Sequence, residues 1–118
     1  QKELPLPLTV DLERTLITLL ERGDTAAPAI GLGAIGGYYT ARYLAVNLKK
    51  LPEITVAKIF RTLLMRRDFG PDPVRFWVVR ALGEMKGTHA TEALATYASD
   101  PPVKGLRSVV AANRLMEK

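Results

Sequence analysis

The chain has 118 residues, 47% of them hydrophobic and 25% charged, a balance that makes a single folded domain and argues against disorder. It has no cysteine, which excludes disulfides, a thiolate metal site and a cysteine nucleophile, and no apolar run approaches the roughly 18 residues of a membrane span. The net charge of +5 is unevenly spread: residues 42–86 hold ten Lys/Arg against four Asp/Glu, whereas residues 1–41 hold three against five.

Leu4-Pro5-Leu6-Pro7-Leu8 reads as an extended arm, because each proline disfavours helix in the residue before it, so the domain proper is expected over 9–118. Thr9 or Asp11 can cap a first helix, with Leu12, Leu16, Leu19 and Leu20 on one face and Gly23 at its end. A short alanine- and glycine-rich segment, 25–35, follows with Pro28 near its first turn and stops at Gly36-Gly37. Ala41, Leu44, Ala45 and Leu48 mark a helix that closes in Lys49-Lys50, where cations suit the carbonyl end of the helix dipole.

Residues 53–67 carry the cleanest helical period, with Val56, Ile59, Phe60, Leu63 and Leu64 on one face and Lys58, Arg61 and Arg66 away from it. Asp68 to Pro73 make a turn and cap. Val74, Val78, Ala81, Leu82 and Met85 then give another stripe that ends at Gly87, and Ala90, Ala93, Leu94, Tyr97 and Ala98 the next. Asp100 and Pro101 are expected to start the last helix, which carries Leu106, Val109, Val110 and Leu115. About seven short helices with no period-2 strand predict an all-α fold in which each hairpin needs a neighbour to cover its apolar face.

Two internal echoes support that reading. Gly31-Leu32-Gly33-Ala34-Ile35-Gly36-Gly37 and Ala81-Leu82-Gly83-Glu84-Met85-Lys86-Gly87 end helices in similar ways, and Asp100-Pro101-Pro102-Val103-Lys104 restates Asp72-Pro73-Val74-Arg75 twenty-eight positions on. With Asp72-Pro73 as helix start, Val74-Arg75 just inside it and Ala81-Leu82-Gly83 as helix end, the chain resembles HEAT-like repeats of the kind also found in phycobilisome lyases. Asp100-Pro101, Val103-Lys104 and Ala111-Ala112 match more loosely, as a capping repeat would, and residues 1–70 match poorly. The resemblance implies a short α-solenoid, a right-handed superhelix of about three hairpins that acts as a non-catalytic scaffold for another protein. It does not bring lyase activity, and the His-Glu pairs of iron-binding HEAT-like proteins are missing, since Ala90 follows the single histidine, His89.

Gly31-Leu32-Gly33-Ala34-Ile35-Gly36 also matches the dinucleotide-binding GxGxxG, but residues 24–30 lack β-branched bulk, contain Pro28 and make a poor entering strand. A nucleotide-binding protein is therefore the third reading, and no cofactor or metal is expected. Trp77 next to Phe76 either packs between helices or anchors a partner, because two adjacent aromatics cannot share one side of a helix. Trp77, Arg61, Arg66, Arg67, Arg75 and Arg80 are the candidate partner-binding residues, and Asp72, Pro73, Val74, Arg75, Leu82, Gly83, Asp100 and Pro101 the repeat motif. The partner is expected to be a protein; nucleic acid on the basic central face is the alternative, weakened because phosphate binding wants clustered cations. The chain begins at Gln1, so the compartment stays open, with cytoplasm expected ahead of periplasm or secretion.

Overall fold

Seven helices follow one another in the computed structural model, which describes residues 6–24 and 26–117: α1 (Leu6–Glu21), α2 (Ala26–Ile35), α3 (Tyr38–Val46), α4 (Glu53–Leu64), α5 (Asp72–Met85), α6 (Thr88–Ser99) and α7 (Arg107–Met116). No strand occurs among the described residues. The fold is all-α, as the 3.6-residue stripes require.

The helices lie in two rows. One row is α2, α4 and α6; the other is α1, α3, α5 and α7, each helix packing on the next in its row. The rows meet through α1 on α2, α4 on α5, and α6 on both α5 and α7. The molecule measures 37 × 32 × 19 Å, and the smallest extent is that of two stacked helices, each about 10 Å across. Its radius of gyration, 13.5 Å, is that of a compact globule of this length. Phe60 and Leu64 are wholly buried, as their stripe predicts, together with Leu20, Leu32, Leu44, Val78, Leu82 and Tyr97. Each such aliphatic or phenyl side chain contributes about 1.5–3 kcal/mol relative to exposure.

Four local expectations are corrected. Helix α1 starts at Leu6, so residues 6–8 of the expected arm are its first turn, where Pro7 needs no amide partner; residues 1–5 lie outside the described residues. Its inner face is Glu13, Ile17 and Leu20, while Leu12 is 44% exposed, so the buried face is turned from the expected leucine stripe and takes in a carboxylate. Gly83 lies inside α5, which continues to Met85 and ends at Lys86 in the left-handed conformation (φ 58°). A Cβ on Gly83 would sit 2.9 Å from Leu115 Cδ1, so this glycine lets α7 approach and does not end a helix.

The fourth correction concerns the repeat. Asp72 and Pro73 open α5, but Asp100-Pro101 opens nothing: residues 100–106 are a loop, and α7 begins at Arg107. Pro102 disfavours helix at Pro101, and Gly105 turns the chain at φ 82°. Val103-Lys104 is therefore outside any helix and is not the counterpart of Val74-Arg75.

Helix ends are tied mainly within the rows. Helices α3, α6 and α7 have no side-chain cap at the residue preceding them; each is capped by a carboxylate two helices earlier in the chain. Glu13 on α1 accepts the Gly37 and Thr40 amides at 3.2 and 3.0 Å and the Thr40 hydroxyl. Glu53 on α4 accepts the Ala90 amide at 2.9 Å, and Asp72 on α5 accepts the Arg107 amide at 2.9 Å and the Ser108 hydroxyl at 2.6 Å. Cations serve the opposite ends. Arg66 donates to the Gly33 and Gly36 carbonyls closing α2, and Arg75 to the Leu64 and Arg66 carbonyls closing α4. Carboxylates thus meet the amide ends and guanidiniums the carbonyl ends, the sense the helix dipole favours.

Candidate functional site

The six candidate partner-binding residues divide sharply. Arg75 is 1% exposed: Nε donates to the Phe69 carbonyl at 2.8 Å, Nη1 to the Leu64 carbonyl at 2.7 Å and the Tyr97 hydroxyl at 3.3 Å, and the guanidinium stacks over Phe69 and Tyr97. Its charge is satisfied inside the protein, so it leaves the candidate surface. Arg66 is half-buried and follows it, with Nη1 on the α2 carbonyls and Nε on Asp68 Oδ1 at 2.9 Å. That hydrogen bond holds the Asp68 carboxyl below its ordinary value, and the nearby charge of Arg66 adds to the effect. Arg67 is exposed and donates to the Pro102 carbonyl at 2.7 Å.

The remaining three stand on two separate surfaces. Arg61 is exposed on α4 beside α2. Trp77 and Arg80 lie on the outside of α5, where they face α3 across an open cleft of about 260 Å³.

This cleft is built from two helical registers. On α3 the core takes Ala41 and Leu44, which turns Tyr38, Arg42 and Val46, at i, i+4 and i+8, to the solvent side. On α5 the core takes Val78, Ala81 and Leu82, leaving Trp77, Arg80 and Glu84 outward at i, i+3 and i+7. Packing α3 on α5 brings the two stripes side by side. The Tyr38 and Trp77 rings sit 5.4 Å apart between centroids at an interplanar angle of 45°, and remain 52% and 40% exposed. Arg42, Val46, Arg80 and Glu84 complete the walls. The sequence singled out Trp77 and Arg80 but not Tyr38, Arg42 or Val46. Their spacing opposite the Ala41-Leu44 stripe was the available signal; that they meet Trp77 was not readable before α3 and α5 were placed together.

The glycine motif lies elsewhere and has another geometry. Gly31 and Gly33 are inside α2, and a Cβ on Gly33 would meet Thr62 Cγ2 of α4 at 2.8 Å, so the residue permits close helix packing. The carbonyls of Gly33 and Gly36 point to Arg66, which makes this a helix C-terminus, whereas a dinucleotide loop offers amides at the start of a helix after a strand. His89 pairs with Glu53 at 3.0 Å beside the start of α6. Among the described residues no three His, Asp or Glu side chains are grouped as a metal site, and no helix is long and apolar enough to cross a membrane. Comparison with family models, with curated proteins and with solved structures gave no match.

Proposed function

We propose that the protein is a non-catalytic protein-interaction module, a short right-handed α-solenoid of HEAT-like hairpins that presents the outer surface of α3 and α5 to a partner protein. The two-row connectivity supports the solenoid reading: alternate helices stack within rows, as successive hairpins do in such an array. Helices α4 with α5 and α6 with α7 supply two hairpins and α1 with α2 a third, while α3 packs on α1 and α5.

The observation that carries the function is the cleft of Tyr38, Arg42, Trp77 and Arg80. Tryptophan, tyrosine and arginine are the residues that dominate binding energy at protein interfaces, and here they are exposed together beside a small apolar floor of Ala45 and Ala81. They are mounted on packed helices, so little ordering cost opposes binding. The nucleic-acid reading has fewer cations to draw on. Of the candidate arginines Arg75 is buried and Arg66 engaged, and Arg61, Arg67 and Arg80 stand at three different places.

A display library of protein fragments panned against the whole chain tests the proposal. Ligands should bind wild type, shift the fluorescence of Trp77, which is the single tryptophan, and lose about tenfold or more in affinity on Trp77→Ala. Circular dichroism should show that variant folded. Ligands indifferent to Trp77, or binding of duplex DNA that survives physiological salt while fragments fail, would overturn it.

A further inference from the structure

A second surface opens on the other row. Between α2 and α4 runs a groove of about 610 Å³ whose apolar floor and walls include Ala29, Ile30, Ile54 and Ile59. Ile30 is 75% exposed and Ile54 39% exposed, unusual for isoleucines on adjacent helices of one small domain. Isolated exposed apolar residues need no explanation, but two flanking one concave groove form a patch. The charged residues lining it are Lys58 and Arg61, both exposed, with no carboxylate lining the groove or lying within salt-bridge distance of either among the described residues.

The order of these groups along α4 is regular. Ile54, Lys58 and Arg61 fall at i, i+4 and i+7, so one edge of the groove changes from apolar to cationic over two helical turns. Ile30 stands across from it on α2. A linear array of that length and periodicity is complementary to another helix that carries aliphatic residues on one face and carboxylates toward one end, the helix-in-groove mode of recognition. Lys58 and Arg61 also disfavour a basic helix, because like charges brought together at an interface oppose docking.

We infer that the α2–α4 groove is a docking site for an acidic amphipathic helix of a partner protein, seated on Ile30 and Ile54 with its carboxylates at Lys58 and Arg61. This rests on the protein-interaction reading but uses none of the Trp77 cleft, so the two sites can fail separately.

The test is a selection from a display library of helical peptides with one face randomised among aliphatic, acidic and basic residues, panned against the intact chain. The enriched peptides should pair aliphatic residues at i and i+4 with Asp or Glu about one turn on. Their affinity should fall about tenfold or more in Ile30→Glu and in the double variant Lys58→Glu, Arg61→Glu, and should weaken as salt rises, since both cations are exposed. Lys58→Gln with Arg61→Gln should give a smaller loss, and Trp77→Ala none. All variants are surface changes whose helix content is checked by circular dichroism. No enrichment, enrichment of basic peptides, or binding that depends on Trp77 and not on Lys58 and Arg61 would overturn the assignment. Loss of this site with the Trp77 cleft still binding its ligands would leave the protein-interaction reading standing.

Discussion

The same side chain does opposite work in the two halves of α5. Arg75, in its first turn, is sealed inside with every donor group turned to carbonyls and a tyrosine hydroxyl, while Arg80, one and a half turns later, lines an open cleft beside Trp77. The difference is not one of residue type but of what the neighbouring helix offers. Arg75 faces the carbonyl end of α4, whose unpaired oxygens carry partial negative charge, so a buried cation is neutralised with no acidic side chain beside it. Arg80 stands instead in the open cleft with Arg42, Ala45 and Val46 of α3, where its side chain remains exposed to solvent. A charge bonded to the carbonyls at a helix end becomes part of the framework; a charge left in the open cleft remains available to a ligand.

The sharpest test of that contrast is to remove each guanidinium in turn while keeping its bulk. Arg75→Met should cost about 3–5 kcal/mol in urea unfolding, because buried acceptors at the end of α4 lose their donors. Arg80→Met should stay within about 0.5 kcal/mol. Equal effects would mean that Arg75 is not the framework charge described here.

The carboxylates should follow the same rule with smaller effects. Glu13 is 2% exposed and serves two amides and a hydroxyl of α3, so Glu13→Ala should destabilise by about 1–3 kcal/mol. Of comparable size is the effect expected of Gly33→Val, about 1–3 kcal/mol, since the new side chain must displace Thr62 from the α2–α4 contact. Melting temperature should fall while titration with NAD(H) or ATP leaves wild type and variant equally unmoved; a saturable response in wild type alone would restore the nucleotide reading.

Asp72→Ala removes the cap of α7 from a less buried position and should cost about 1 kcal/mol, read most directly as faster amide exchange at Arg107 and Ser108.

The smallest effect belongs to Asp68. Its carboxyl is held below the ordinary 3.8 by the Arg66 hydrogen bond, so the unfolded chain takes up that proton at higher pH than the folded protein does. The stabilisation is complete above the ordinary value and is lost as pH falls through the lower folded one. Because the Asp68 side chain is 79% exposed, solvent screens most of it. Asp68→Asn should lower the melting temperature slightly near neutral pH and not at all in strong acid; a difference that grew on acidification would reverse the assigned direction.

Most of the helices were legible because their stripes obey one period. Phe60, Leu64, Val78, Leu82, Ala90 and Ala93 are buried where the 3.6-residue repeat puts them. The errors cluster where a polar side chain finds its partner far along the chain. Glu13 entered an apolar face because α3, 24 residues later, needed its carboxylate, and that pairing turned Leu12 outward. Asp100-Pro101 copied the letters of Asp72-Pro73 without the consequence, since Pro102 and Gly105 hold the chain in a loop until Asp72 can cap α7. The Arg66 and Arg67 pair, adjacent in sequence, is divided between a helix end and a loop carbonyl.

The amino-acid order by itself determined the all-α class, the number of helices and most of their inner faces, because those follow from local spacing and from where proline and glycine interrupt it. Which charges became structure and which were left to meet a partner was decided only by the tertiary arrangement. Helix ends attract charge, and whether Arg75 or Arg80 is held by one depends on where α4 and α3 come to rest.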